Sequence, residues 1–151
     1  MFTIALIEPQ IPPNTGNIGR LCGATNSKLE IVGKIGFKLD DRQLKRAGLD
    51  YWEHMYWEYI ENVEKYMASL NPSKIHLLTT KVSTSYTNHS FERDDYLLFG
   101  NETRGIDEKY LNKFRSQCCT IPMSNKNIRN LNLSTSVGIV LGEAMRQTNQ
   151  F

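Results

Sequence analysis

Residues able to do chemistry gather in three short polar stretches of this 151-residue chain. The first runs Pro9-Gln-Ile-Pro-Pro-Asn-Thr-Gly-Asn-Ile-Gly-Arg20. Its prolines stiffen an extended approach, and Asn14 or Thr15 is placed to cap the helix that follows. Arg20 then falls one to two turns inside, where a cation is mildly unfavourable. It reads either as a group holding a phosphate or an activated hydroxyl, or as a surface arginine beside a carboxylate. In the second stretch, Phe99-Gly-Asn-Glu-Thr-Arg-Gly105, two glycines bracket four polar residues. Gly100 allows the backbone to approach a ligand closely. Glu102 and Arg104 compete for one small space, as ligand-binding groups or as a salt-bridged turn. The third, Ile128-Arg-Asn-Leu-Asn-Leu-Ser-Thr-Ser136, alternates Asn130, Asn132 and Ser134 with Leu131 and Leu133. Helix capping accounts for one of those polar groups and not for all of them.

Other chemistries find little support. His54, His76 and His89 are scattered, with no HExxH, no paired His–Cys spacing and no EF-hand loop, so no metal is expected. There is no GxxxxGK[ST] loop and no GxSxG elbow, and Gly16, Gly19 and Gly23 do not make GxGxxG. Cys22, Cys118 and Cys119 cannot form a full disulfide framework; they read as small core residues of a reduced, cytosolic protein. No basic leader precedes the first apolar run, and no run approaches the ~18–20 residues of a membrane span, so a cytoplasmic chain without membrane contact is expected.

Apolar residues make up 40% and charged residues 23%, which argues for one globular domain over 1–151 and against wholesale disorder. The net charge of +2 is too small to imply nucleic acid by itself. Its distribution says more: residues 51–72 hold one basic and four acidic groups, whereas 118–151 hold three and one. A phosphate-rich partner would prefer the ends of the chain. The densest basic cluster, Arg42, Lys45 and Arg46, is a solvated helix face or a phosphate contact.

The elements that must position these stretches alternate. Thr3–Ile7, Leu29–Val32, Ile75–Thr79, Tyr96–Phe99 and Cys118–Ile121 read as strands. Asn14–Ala24 reads as loop and then helix, and Asp40–Ala47, Asn62–Leu70, Asp107–Arg115 and Leu133–Gln147 read as helices. In the last, Leu133, Val137, Val140, Leu141 and Ala144 share one face, and Gly138 and Gly142 make a smooth stripe for a close backbone neighbour, in this chain or another. Tyr51–Ile60 is aromatic and ambiguous; its acidic surroundings favour core or interface over RNA stacking. The alternation predicts an α/β fold with a mostly parallel sheet and flanking helices, and ligands in the loops beyond the strands' carboxyl ends.

Taken together, PPNTGNIGR, FGNETRG and NLNLSTSVGIVLGEAMRQ, in this order, resemble the three signature motifs of the SPOUT-class RNA 2′-O-ribose methyltransferases. The match is nearest to the small TrmL (YibK-like) tRNA wobble-position subgroup, which EPQIPPNTGNIGRLC, GFKLDDRQLKRAGLDYWE and LLTTK also resemble. The resemblance spans essentially the whole chain and leaves no room for a further RNA-binding domain. It implies an α/β fold closed by a C-terminal deep trefoil knot, bent S-adenosylmethionine as cofactor, and a homodimer whose subunits both contribute to each site. The implied substrate is the ribose 2′-hydroxyl of the wobble cytidine or uridine in the anticodon arm of leucine tRNAs. A non-catalytic RNA-binding protein and a base methyltransferase on the same fold are the alternatives.

Carried over by position, the resemblance implies a catalytic set of Arg20, Asn14, Glu102 and Asn132, with Asn14 helping to position Arg20. It puts the cofactor against Leu78, Thr79, Gly100, Asn101, Glu102, Gly105, Ile121, Met123, Asn130, Leu131 and Ser134. RNA falls to Arg20, Arg42, Lys45, Arg46, Lys81, Arg104 and Arg129. Many relatives carry serine where this chain has Asn130.

Overall fold

The computed structural model describes residues 1–40, 42, 46 and 49–151. Strand β1 (Thr3–Ile7) is buried at all five positions, so it must be covered on both faces and paired on both edges. Parallel strands β2 (Lys28–Val32) and β5 (Tyr96–Phe99) flank it. Beyond β2 lies β3 (Trp57–Ile60); beyond β5 lie β4 (Ile75–Leu78) and the two-residue β6 (Cys118–Cys119). The parallel six-stranded order is thus β3-β2-β1-β5-β4-β6. The chain builds outward from β1 to β3, jumps to β4, then returns inward to β5. The loops after β1 and β5 therefore leave the carboxyl edge side by side, at a topological switch point where α/β sheets bind ligands.

Alternate residues of each strand feed two cores. Ile4, Leu6, Leu29, Ile31, Leu97 and Phe99 face helices α1 (Pro12–Thr25) and α4 (Leu133–Gln147). Ala5, Ile7, Val32, Leu77 and Leu98 face α2 (Val63–Ser69) and α3 (Glu108–Lys113). Each fully buried aliphatic side chain contributes roughly 1.5–3 kcal/mol. On α4, Val137, Val140, Leu141 and Ala144 are buried as the helical spacing predicts, and Leu133 is partly buried. Gly142 faces open space, and a Cβ at Gly138 would find only Leu21, at 4.0 Å.

Several boundaries depart from the sequence reading. Helix α1 starts at Pro12, with both prolines in its first turn and Ile11 as N-cap, so neither Asn14 nor Thr15 caps it. Proline suits that position because it lacks the N–H that would be left over there. Arg20 consequently lies mid-helix, past the first two turns, and the helix dipole places little penalty on it. Strand β6 stops at Cys119; Thr120 instead exchanges backbone hydrogen bonds with Thr84 and Tyr86, both 2.8 Å. Helix α3 is shortened because Phe114, 3% exposed, turns its ring into the core, and a 3-10 turn follows. The ambiguous aromatic segment divides into a 3-10 turn, Leu49–His54, and the edge strand β3. Trp52 is core, while Tyr51, Tyr56, Trp57 and Tyr59 are exposed. The helix expected over Asp40–Ala47 lies largely outside the described residues, as does Lys45; Arg42 and Arg46 are exposed.

All three cysteines are buried and free, and burial pushes the Cys22 and Cys119 thiols up to about 12. His76 bonds Asp95 (3.0 Å) and His89 (2.9 Å) at the amino edge of the sheet, away from the carboxyl-edge loops. Among the described residues no helix is long and apolar enough to cross a membrane.

Near the end of α4, Glu143 accepts from Arg146 at 2.8 and 2.9 Å and from Gln147 at 2.8 Å. These partners hold its carboxyl at about 2, below the ordinary value of 4.5. Gln147 in turn bonds the backbone of His89 and Phe91, tying the helix end to the chain before β5. A depressed carboxyl stabilises the fold above its unfolded value and loses that contribution as pH falls toward its folded value. Thermal unfolding of wild type and Glu143→Gln should therefore differ at neutral pH and converge between about pH 4.5 and 2. A gap independent of pH would mean that the carboxylate adds nothing.

Candidate active site

The loop after β5 is a closed turn built around one buried side chain. The Asn101 carbonyl accepts from the Gly105 N–H (2.9 Å), and its Oδ1 accepts from the Thr103 N–H (2.9 Å) and hydroxyl (2.8 Å). Its Nδ2 donates to the Glu8 carbonyl at 2.9 Å, joining the turn to the loop after β1. The turn is tight: a Cβ at Gly100 would stand 2.1 Å from the Gly105 carbonyl carbon and 2.2 Å from the Ile106 nitrogen. Gly105 has the opposite constraint, open space but φ of +69°.

This turn aims Glu102 at the start of α1. Its Oε2 accepts from the Gln10 N–H at 2.8 Å, and its Oε1 from the Ile11 N–H at 3.0 Å and Asn14 Nδ2 at 3.4 Å. The carboxylate thus supplies the cap that Ile11 cannot, with its charge at the positive end of the helix. Asn14, 5% exposed, passes the connection on: its Oδ1 accepts from Asn132 Nδ2 at 3.0 Å. Asn132 is the N-cap of α4, and its Oδ1 accepts from the Ser134 N–H (2.9 Å), Ser134 Oγ (2.6 Å) and the Thr135 N–H (3.3 Å). Three side chains, Glu102, Asn14 and Asn132, therefore lock the three polar stretches together. No Glu102–Arg104 salt bridge forms among the described residues, because both carboxylate oxygens face α1.

Beside this relay is a cavity of about 410 Å³. Its polar rim is Asn14, Asn132, Ser136 and the 100–105 turn; Leu78, Phe99, Ile121, Met123, Leu131 and Leu133 give it apolar walls. Bare backbone at Gly100, apolar walls and a few convergent amides suit a flat heterocycle with a polar tail.

A family model for SpoU rRNA methylases matches residues 1–142. The chain belongs to the SpoU rRNA methylase family. A SpoU relative from Methylovorus glucosotrophus, a tRNA (cytidine(34)-2′-O)-methyltransferase, is 45% identical over 148 residues, 97% of this chain and 96% of its own length. The enzyme of the same name from Burkholderia cenocepacia is 39% identical over 150 residues, again 97% and 96%. A solved structure concerned with 2-OH methylation of C/U34 on tRNA superposes with a TM-score of 0.90 at 35% identity, covering 97% of this chain and 95% of that one. A SpoU methyltransferase from Streptomyces viridochromogenes in complex with AdoMet shares the fold, with a TM-score of 0.81 at 21% identity over 96% of this chain and 57% of its own.

The SpoU fold brings most of the expected cofactor residues to one place: Leu78, Thr79, Gly100, Asn101, Glu102, Gly105, Ile121, Met123, Asn130 and Leu131 all line the cavity, with Asn14, Asn132, Lys81 and Arg104. Ser134 does not line it; its side chain turns back to Asn132, and Ser136 takes the place at the rim. Sequence alternation has period two, whereas the chain is already helical here, so the residue four after Asn132 shares its side. Thr80, Phe99, Thr120, Leu133 and Ser136 are further lining residues outside the expected set. Arg20 is exposed and does not line the cavity of its own chain; its guanidinium meets Tyr51 instead. Arg129 is exposed.

The two glycines of the turn separate steric from conformational constraint. Gly100→Ala forces the Gly105–Ile106 backbone aside and should cost at least about 1–3 kcal/mol. Gly105→Ala, with room but a left-handed φ, should cost roughly 1–2 kcal/mol. Denaturant unfolding of both variants checks the order, and a harmless Gly100→Ala would contradict the packing of the turn.

Proposed function

We propose that this chain is an S-adenosylmethionine-dependent tRNA 2′-O-methyltransferase acting on the ribose of the wobble nucleotide, cytidine or uridine, in the anticodon arm of leucine tRNAs. The observation that carries the reading is that all three polar stretches converge on one cavity at the carboxyl edge of the sheet. The relatives from Methylovorus glucosotrophus and Burkholderia cenocepacia, named tRNA (cytidine(34)-2′-O)-methyltransferases, support the reaction at cytidine 34. S-adenosylmethionine, when bound, supplies a methyl group on a sulfonium, a leaving group that needs no metal. Leu78, Ile121 and Leu131 with the Gly100–Gly105 backbone would hold it. Glu102, Asn14 and Asn132 keep that wall in place.

What the protein must add is alignment and a path for the hydroxyl proton, since a ribose 2′-OH is a very weak acid. Arg20 is permanently charged and so is a poor base. It acts by holding an RNA phosphate that orients the ribose and takes the proton from the 2′-oxygen. Arg20 is remote from its own cavity, which supports a homodimer in which each chain's Arg20 serves the partner's site. The open space beside Gly142 on α4 supports the same assembly. The trefoil knot belongs to this reading too; its support is the return of the chain from the edge strand β6 to Asn14 on α1.

Incubating the protein with labelled donor and tRNA lacking the modification, then mapping the label, tests the reaction. Label on the wobble ribose, read as resistance to alkaline cleavage, is the expected outcome. Label on a base would make it a base methyltransferase, and no donor affinity would favour a non-catalytic RNA-binding protein. Arg20→Ala should abolish transfer while donor binding persists, and near-normal turnover would reject the role. Arg42 and Arg46 are exposed and would contact RNA phosphates. Their double replacement by alanine should weaken tRNA binding and lower the log–log salt slope by about 2. Unchanged affinity at low and high salt would remove the assignment.

A further inference from the structure

The 3-10 turn Leu49–His54 lies outside the relay and the cavity, yet it reaches the only charged side chain of α1, Arg20. Two glycines on α1 let it lie directly on the helix. A Cβ at Gly19 would meet the Trp52 indole at 3.5 Å; one at Gly23 would meet Met55 Cβ at 3.8 Å and Tyr51 Cβ at 4.0 Å. Trp52 is the anchor, 7% exposed and packed in the core with Ile18 and Cys22, with the Trp57 ring edge-on at 4.3 Å. Its neighbour Tyr51 packs its Cβ against α1 at Gly23, yet the residue as a whole is 44% exposed. The Arg20 guanidinium lies over that ring, Cζ 5.1 Å from its centre, and Nη2 donates to the Tyr51 hydroxyl at 3.2 Å.

The chemistry of this partner matters. Among the described residues no carboxylate pairs with Arg20. A carboxylate would fix the side chain but occupy its donors in a fork and offset its charge. An aromatic face with one phenol oxygen restrains a rotamer-rich side chain while leaving the charge and most N–H donors free for a phosphate.

We propose that Tyr51 is the positioning residue of Arg20: through its ring face and hydroxyl it presents the guanidinium to the substrate phosphate in one orientation. This rests on the reading that Arg20 acts on the ribose, and the test separates the two. Full-length enzyme is assayed with labelled S-adenosylmethionine and unmodified tRNA for wild type, Tyr51→Phe, Tyr51→Leu, Arg20→Ala, Arg20→Lys and the double variant Tyr51→Leu/Arg20→Lys. Tyr51→Leu should lower kcat on the order of 10²-fold, the scale of a catalytic group misplaced by about an ångström. Its KM for tRNA, donor affinity and thermal midpoint should not change. Tyr51→Phe keeps the ring face and should recover kcat to within about tenfold of wild type. In the Arg20→Lys background the leucine substitution should cause little further loss, because the two residues act as a unit.

Wild-type kcat in Tyr51→Leu with an inactive Arg20→Ala would overturn the positioning role and leave the function standing. Normal turnover in Arg20→Ala would bring down the reading beneath it, whatever Tyr51 does. A raised KM for tRNA with unchanged kcat would make Tyr51 an RNA contact instead. A lowered thermal midpoint with loss of donor binding would make it structural, and either result overturns the proposal.

Discussion

A single carboxylate at the carboxyl edge of the sheet sets the arrangement of everything around it. Helix α1 begins with two prolines, which offer no N–H, behind an isoleucine that offers no side-chain acceptor. The two amides that precede them, of Gln10 and Ile11, are satisfied by Glu102, more than ninety residues later in the chain. Hydrogen bonds to a charged group contribute roughly 1.5–3 kcal/mol each, and the helix dipole adds about 0.3–1 kcal/mol. The start of α1 is therefore a tertiary property. It exists where β1 and β5 are neighbours, and the strand order makes them so.

The same constraint divides the surface. With both oxygens of Glu102 and both polar atoms of Asn14 engaged, the wall between the 100–105 turn and α4 is held by hydrogen bonds that face inward. Arg20 rides more than a turn further along the same helix, about 9 Å from Asn14 at 1.5 Å per residue. It leans on Tyr51, away from the wall. One helix thus serves two surfaces: its first turn closes the cavity, and its middle displays a cation. In the proposed dimer a two-fold axis is what lets these surfaces meet.

The sheet, the long amphipathic helix and the three polar stretches were legible in the sequence because each rests on local pattern. Strand β1 is a short branched run, β5 a short apolar run stopped by a glycine, and α4 shows its buried face at helical spacing. Partnerships were not legible. Glu102 next to Arg104 suggests a local salt bridge, whereas its true partners are amides brought in by strand order. Asn14 reads as a cap and is instead the middle of a relay. The resemblance puts Ser134 against the cofactor, whereas the cap geometry of α4 turns its hydroxyl back to Asn132 and brings Ser136 to the cavity rim. The segment Tyr51–Ile60 resisted assignment because its aromatics split by depth, Trp52 inward and Tyr51 outward, and only contact with the glycines of α1 decides which.

The polar inventory finally limits what kind of catalysis the site can perform. Among the described lining residues the one carboxylate, Glu102, is held by backbone amides, Asn14 and Asn132 bind each other, and Asn101 bonds the Glu8 carbonyl and Thr103. The histidines lie elsewhere or pair among themselves, and burial keeps the Cys22 and Cys119 thiols protonated. Among the described residues that line the cavity there is no histidine and no cysteine, and the one carboxylate is already bonded. Such a site can accelerate a displacement only by bringing an already reactive carbon and an oxygen into line and excluding other geometries. Rigidity of the relay formed by Glu102, Asn14 and Asn132 is then what keeps the cavity wall in that geometry.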